Sequence, residues 1–339
     1  MLSSYQTNSS LIAVTKVLIF YGYPFMLIFG NIGNALNVVL FLRKNLRTTS
    51  CNNYFLVSAF SNAIALNVAI MPLLYMESRH IEETILFCKF QGYVINAALQ
   101  ISRYLILMAS FDRFALCSTN AYLRKFSTVR IARRYVIPSI IVIWLIIPFH
   151  VPVWITFEDN VCGFTGLIAH YELIYSIIMI GIIPPGLMFL FSLLIFRNLR
   201  LRQRRRQIHP FIVGNLIQPI NETRHARIKD QHVLGMLLVQ VFAYVVSSTP
   251  YTISMFYVVL TNNYDINASL EHESRIIFVV YTANMFRFIC PFISFYLFLL
   301  ASKLYRREML LIILHIYRRC IVLWEKLRAI FILIIILMI

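Results

Sequence analysis

Few residues in this sequence have the types and the spacing that catalysis or metal binding requires. His150 and His232 are isolated, and no group of His, Cys and carboxylate residues has the spacing of metal ligands. Because we find no catalytic constellation, the sequence predicts a protein that is not an enzyme and that has neither a cofactor nor a metal site.

Cysteines and charged residues offer chemistry of a different kind. Cys88 and Cys162 could form a disulfide, or they could be two unrelated buried thiols. Arg103 and Arg287 each interrupt a long apolar stretch, where a charge is costly and usually faces the interior of a helix bundle. What these residues can do depends on the segments that carry them.

The composition of those segments is that of a membrane protein. Of the 339 residues, 60% are hydrophobic and only 13% are charged, whereas a soluble domain has about a quarter charged residues. This excludes an ordinary cytosolic enzyme, a disordered protein and a secreted disulfide-rich mini-domain. We therefore expect one polytopic membrane domain.

Seven stretches are each longer than the roughly 20 residues that a spanning helix needs. Five lack charged residues and two contain one arginine each, and their bounds are 17–42, 48–76, 90–111, 135–157, 173–196, 231–264 and 276–302. The apolar runs do not alternate as the strands of a β-barrel do. The predicted fold class is an all-α membrane protein, a bundle of seven transmembrane helices.

The basic residues indicate how this bundle is oriented. With the N-terminus outside, 25 of the 31 Lys and Arg residues lie on the cytoplasmic side and only four lie outside. The net charge of +17 is then a topology signal that also favours anionic lipid, and it does not require nucleic acid as a partner. We expect an extracellular tail over 1–16, a membrane domain over 17–302 and a cytoplasmic segment over 303–339, in the plasma membrane.

This orientation sets expectations for the outer side. Cys88 and Cys162 both face outside, which favours a disulfide between them. Asn8 and Asn267 begin glycosylation sequons in outer segments and are candidates for modification. One helix then runs from Cys88 to Arg113 on the inner side, over 25 residues or about 37 Å.

The two arginines inside spans allow two interpretations. Either could meet an acidic or carbonyl-rich group of a ligand, or could bond to backbone carbonyls and to buried polar side chains such as Gln100, Ser102 and Asn284. Arg103 lies ten residues, about 15 Å, from Arg113 on one helix. This depth favours the second interpretation for Arg103, and both stay open for Arg287.

In this order, these residues resemble those of the rhodopsin-like (class A) G-protein-coupled receptors. Asp112-Arg113-Phe114 is similar to the family's Asp-Arg-Tyr motif, at the family's spacing from Cys88. Further matches are Gly33-Asn34, Trp144, Pro184 or Pro185, Pro250 and Pro291, in spans one, four, five, six and seven. The resemblance covers residues 17–305.

Three departures mark the chain as a divergent member. Asn62 stands where the family usually has a sodium-binding Asp. Ser247-Ser248-Thr249-Pro250 replaces Cys-Trp-x-Pro, so the aromatic residue of that motif is missing. Cys290-Pro291-Phe292-Ile293-Ser294 replaces Asn-Pro-x-x-Tyr, with Tyr296 two residues further on.

The resemblance implies a receptor that transduces binding of an extracellular ligand to heterotrimeric G proteins; the ligand is a peptide, such as a neuropeptide, or a small molecule. It implies activation and coupling roles for Asp112, Arg113, Phe114, Asp230, Pro250 and Pro291. The ligand-binding candidates are Asn96, Gln100, Glu172, Asn284 and Arg287. Asp230 could form a salt bridge to Arg113 or could cap the sixth helix. The alternative function is a seven-span transporter or channel, although internal half-repeats are not evident.

The segment after the seventh span has two parts. Residues 302–316 mix basic and apolar residues, which predicts a short amphipathic helix on the inner leaflet. Residues 329–339 are wholly apolar but too few to span a membrane. Cys320 lies beside two arginines and could be palmitoylated.

Overall fold

The computed structural model describes residues 11–79, 84–118, 120–158, 161–208, 220–262 and 270–338. Seven of its helices are long and apolar enough to cross a membrane. They are Leu11–Phe41, Ser50–Tyr75, Ile85–Cys117, Val129–Trp154, Gly166–Leu201, Val233–Tyr257 and Arg275–Ala301. The prediction of a seven-helix membrane bundle is confirmed.

Several of these helices extend beyond the apolar part that forms the span. The longer helices are Ser50–Arg79, Ile183–Ile208, Ile220–Asn262 and Leu270–Ala301. Short helices at Lys44–Arg47 and Ala121–Phe126 lie between spans, in the segments that follow the first and third spans. Thr84 and Asn120 cap the helices that begin at Ile85 and Ala121, because each side chain accepts a backbone N–H bond.

Three spans contain a widened π-helical turn directly before a proline. These turns are Leu18–Gly22, Ala132–Val136 and Ile177–Ile182, and the prolines are Pro24, Pro138 and Pro184. A proline has no N–H to donate and its ring crowds the preceding turn. A π turn relieves this conflict without ending the helix. The sixth and seventh spans keep Pro250 and Pro291 inside α-helix.

The third span lies at the centre of the bundle. In the most apolar stretch of the third span, 67% of the residues are buried inside the structure, compared with 17% in that of the fifth span. Small residues bring other helices together: a Cβ on Gly30 would lie 2.7 Å from Leu66 of the second span, and one on Gly33 would lie 3.0 Å from Phe295 of the seventh. The first span therefore packs closely against the second and the seventh.

An antiparallel hairpin follows the fourth span. Its strands are β1 (Thr156–Glu158) and β2 (Val161–Gly163), and Phe157 pairs with Cys162 in the register. After β2, Gly166 takes a positive φ of 59°, which suits a residue without Cβ, and begins the fifth span. The hairpin therefore places the backbone of Cys162 between the fourth and fifth spans, in the segment on the side of Cys88.

A helix follows the seventh span, as expected, and runs from Lys303 to Met338. It is longer than the amphipathic segment 302–316 because no proline or glycine interrupts it. The buried Glu308 holds it against the segment after the first span through Arg43 (2.9 Å) and Asn45 (2.9 Å). Tyr305 is fully buried among Phe41, Phe295 and Phe298, and this burial raises the pKa of its hydroxyl well above the usual value.

Candidate functional site

A small cavity lies in the middle of the bundle. Its volume is about 20 Å³, which is room for about one water molecule. The third, sixth and seventh spans contribute most of its lining, and its larger polar side chains are Asn62, Arg103, Gln240, Tyr244, Tyr251 and Arg287. Both arginines that the sequence places inside spans thus face the same cavity.

Arg103 is 7% exposed and lies at the centre of the third span. Its Nη1 donates to Gln100 Oε1 at 3.1 Å, one turn away on the same helix. Its guanidinium lies 5.9 Å from the ring centre of Tyr244, a cation–π distance. The contact with Gln100 agrees with the second interpretation of this arginine, in which a buried polar side chain is its partner.

Arg287 connects the seventh span to the third. Its Nη2 donates to Asn96 Oδ1 at 2.6 Å, and its guanidinium lies 5.3 Å from the ring centre of Tyr251. Its Nε is buried without a hydrogen-bond partner among the described residues. Two ligand-binding candidates that are 191 positions apart are therefore in direct contact.

The other ligand-binding candidates take different positions. Gln100 is 1% exposed, and its Nε2 has no partner in the described part of the chain. Glu172 lies outside the cavity lining and accepts a bond from His150 Nε2 at 3.0 Å. Asn284 is half-buried and is also absent from the lining. Of the five candidates, only Arg287 lines the cavity. Asn96 and Gln100 each bond to one of the two arginines, whereas Glu172 bonds to His150.

A buried ionic cluster lies near the C-terminal end of the third span. Asp112 Oδ2 accepts bonds from Arg113 Nη2 at 2.9 Å and from Ser50 Oγ at 2.7 Å. Asp112 and Arg113 are each 3% exposed. Ser50 begins the second span, so the cluster fixes the charge pair between two helices.

Phe114 points to the fifth span. Its ring stacks on Phe191 with 5.7 Å between centres and 23° between planes, and Phe111 meets the same ring edge-on at 5.5 Å. This contact joins the C-terminal halves of the third and fifth spans. Phe114 therefore packs between helices while its neighbour Arg113 forms the ion pair.

The two prolines of the sixth and seventh spans differ in their surroundings. Pro291 is buried in the cavity lining, and its carbonyl accepts from Asn34 Nδ2 at 3.0 Å. Pro250 is half-buried one residue before Tyr251. Ser294 bonds to Asn37 at 3.3 Å, whereas Tyr296 turns to the Phe29 carbonyl of the first span.

Some predicted sites fall outside what the structure describes. Asn8 and Asn267 lie outside the described residues. The backbone of Asp230 belongs to the helix Ile220–Asn262 and that of Cys162 to β2, but neither side chain is described. Cys88 is 0% exposed and packs against Val151 and Ile155.

Sequence reasoning missed the polar face of the sixth span. Gln240, Tyr244, Ser247 and Tyr251 all line the cavity, and Gln240 Nε2 donates to Cys290 Sγ at 3.3 Å. These residues recur at steps of four, three and four, which is the period of one helical face. This periodicity, within an otherwise apolar stretch, is the feature of the sequence that could have identified the polar face.

Comparison with protein families identifies the family of the chain. A family model described as "7 transmembrane receptor (rhodopsin family)" matches residues 33–296. No curated protein matches the chain. The matched range includes the cavity between the third, sixth and seventh spans and the ionic cluster at Asp112 and Arg113.

Proposed function

The chain belongs to the rhodopsin family of seven-transmembrane receptors, and we propose that it transmits the binding of an extracellular ligand to a heterotrimeric G protein. The observation that carries this proposal is the buried cluster of Ser50, Asp112 and Arg113 at one end of the central helix. The same helix contributes Asn96, Gln100 and Arg103 to the polar centre of the bundle. One rigid element thus connects both regions.

In the proposed resting state, Asp112 and Ser50 hold Arg113 inside the bundle. A buried charge pair that is satisfied in this way resists rearrangement, because separating it leaves an uncompensated charge. An agonist would favour a state in which the inner end of the sixth span moves outward and Arg113 becomes available to the G protein. Asp230 on the sixth helix is a candidate for a second ionic contact that opposes this motion.

The ligand is proposed to enter between the outer halves of the spans. Asn96 lies about one helical turn from Gln100 and about two turns from Arg103 on the third span, and Arg287 bonds to Asn96. A ligand that disturbs Asn96 or Arg287 would therefore reach the centre of the bundle. The pair of His150 and Glu172 offers a further polar contact between the fourth and fifth spans. A peptide, including a neuropeptide, is the proposed class of ligand, since acidic residues outnumber basic ones in the predicted outer segments.

The outer side is proposed to be extracellular and closed by a disulfide between Cys88 and Cys162. Its support is position: Cys88 is buried at the start of the third span against Val151 and Ile155, and the hairpin that holds the backbone of Cys162 follows Ile155. Such a bond would join the hairpin to the start of the third span. The plasma membrane, with Asn8 and Asn267 glycosylated, is the proposed location.

A functional screen tests the proposal. Cells expressing the chain with a promiscuous G protein are exposed to peptide and small-molecule libraries, and second-messenger release is recorded. We expect at least one ligand to give a response that the Arg113→Ala variant loses while its surface expression stays near that of the wild type. Ligand-driven ion flux without any G-protein response would contradict the proposal and favour a transporter or channel.

A further inference from the structure

Within the described part of the chain, the two arginines in the middle of the bundle have no carboxylate partner. Both line the central cavity, and their charges are close enough to repel each other. An arginine stays protonated in a protein interior. Two positive charges in a low-dielectric region therefore need a compensating negative charge.

The carboxylates of the spans do not supply this charge. The seven spans contain only two, Asp112 and Glu172. Asp112 binds Arg113 and Ser50, nine residues or about 13 Å along the helix from Arg103. Glu172 binds His150 and is absent from the cavity lining. Both carboxylates therefore bind residues other than Arg103 and Arg287.

Neutral side chains satisfy only part of the hydrogen-bonding capacity of the arginines. A guanidinium has five N–H donors, and the structure gives Arg103 and Arg287 one hydrogen bond each within the described chain. Arg287 Nε and Gln100 Nε2 are buried donors without a partner among the described side chains. Amide oxygens and aromatic rings carry no full negative charge, so an excess of donors and of positive charge remains.

We propose that this cavity is a binding site for one small monovalent anion, held between Arg103 and Arg287. The cavity volume of about 20 Å³ suits a single small ion. The anion would bond to the free N–H groups of both guanidinium groups and neutralise part of their charge. It would connect the third and seventh spans beside Tyr244 and Tyr251 of the sixth.

This inference goes beyond signalling, because anion binding requires neither an agonist nor a G protein. Two sources share the chemistry: a free halide ion, or the carboxylate group of a larger ligand. The test uses the purified full-length chain in lipid nanodiscs, in gluconate buffer of constant ionic strength. The temperature of half-unfolding is measured while gluconate, which is too large for the cavity, is replaced by chloride or, separately, by formate.

We expect the unfolding temperature of the wild type to rise and saturate with chloride, with formate or with both. Saturation with chloride identifies a free ion as the occupant, and saturation with formate alone identifies a carboxylate. Arg287→Gln should raise the half-saturation concentration at least about tenfold, because a charge-assisted partner is lost. Arg287→Lys should keep saturable binding, and Arg133→Gln, at an exposed arginine bound to Asn53, should behave as the wild type.

The wild-type titration alone can overturn the proposal, even if the Arg287 variants do not fold. No saturable rise with either anion would refute the site. An unchanged half-saturation concentration in a folded Arg287→Gln protein would also refute it. Neither result depends on the receptor's ligand or on coupling, so a failure here is distinguishable from a failure of the proposed function.

Discussion

Neutralising Asp112 should destabilise the resting state of the receptor relative to its active state. In Asp112→Asn, Arg113 loses its charged partner, although the new side chain still fits between Arg113 and Ser50. Breaking a buried ion pair costs about 3–5 kcal/mol. Both members are 3% exposed, so solvent can offset little of that cost. Because Asn keeps an oxygen that accepts hydrogen bonds, we expect the resting state to lose about 1.4–3 kcal/mol relative to the active state, in which Arg113 leaves the pocket.

A loss of about 1.4 kcal/mol changes the ratio of active to resting receptor about tenfold. The assay is basal G-protein activation in cells, divided by surface expression. Asp112→Asn should raise the basal signal about tenfold or more, until the active fraction saturates. Ser50→Ala removes only a neutral hydrogen bond, which is worth about 1 kcal/mol, and should give a smaller increase of about fivefold.

A second buried carboxylate provides the matched control. Glu308→Gln removes the partner of Arg43, but this pair anchors the last helix to the segment after the first span and does not touch the third span. Its basal signal should stay within about twofold of the wild type. If Asp112→Asn reaches the surface normally and its basal signal is unchanged, the restraining role of the ion pair is wrong.

Three further predictions concern other parts of the molecule. Cys88→Ser and Cys162→Ser should each impair surface expression or ligand binding, and the double variant should be no worse than either single one, whereas additive losses would refute the pairing. Asp230→Ala and Asp230→Asn should both raise basal signalling, because each removes the charge that restrains the sixth helix. Asn can still cap a helix, so an unchanged signal in both variants would mean that Asp230 is at most a helix cap. Tyr305→Phe removes the hydrogen bond from the buried hydroxyl to Asn37 Oδ1 (2.5 Å) and should lower the free energy of unfolding by about 1–2 kcal/mol. Thermal unfolding in detergent measures this change. An unchanged unfolding temperature would show that the bond does not stabilise the protein.

The sequence was sufficient to predict the bundle because spans are local features. A run of about 20 apolar residues must form a helix in lipid, where each backbone polar group needs an internal partner. The same logic located Arg103 and Arg287 inside spans. It could not predict the widened turns before Pro24, Pro138 and Pro184, because a proline in a membrane helix can be accommodated in several ways.

The sequence predicted the members of the candidate site better than their contacts. Asn96 and Arg287 were both candidates, but their bond joins positions 191 residues apart and depends on how the helices rotate against each other. The sequence also makes Glu172 a ligand-binding candidate, but the structure pairs it with His150. The position of a residue along a span does not determine which neighbouring helix its side chain faces. Local periodicity alone cannot settle such rotations.

The end of the chain shows a similar limit. The amphipathic pattern identified the start of the last helix, and the lack of a stop signal was readable in the sequence. The anchor of that helix, Glu308 against Arg43 and Asn45, is a contact between distant segments. From the sequence alone, a glutamate in a basic, amphipathic segment is expected to be solvent-exposed. Its burial depends on contact with the segment after the first span.

Nucleotide exchange on purified G proteins tests the central claim most directly. The Asp112→Asn receptor in lipid nanodiscs is mixed in turn with heterotrimers of each major class, so that no agonist is needed. We expect Asp112→Asn to accelerate exchange on at least one heterotrimer, and we expect the Asp112→Asn/Arg113→Ala double variant to lose that acceleration while remaining folded by thermal unfolding. Exchange at the receptor-free rate on every heterotrimer, with a folded Asp112→Asn protein, would contradict the account.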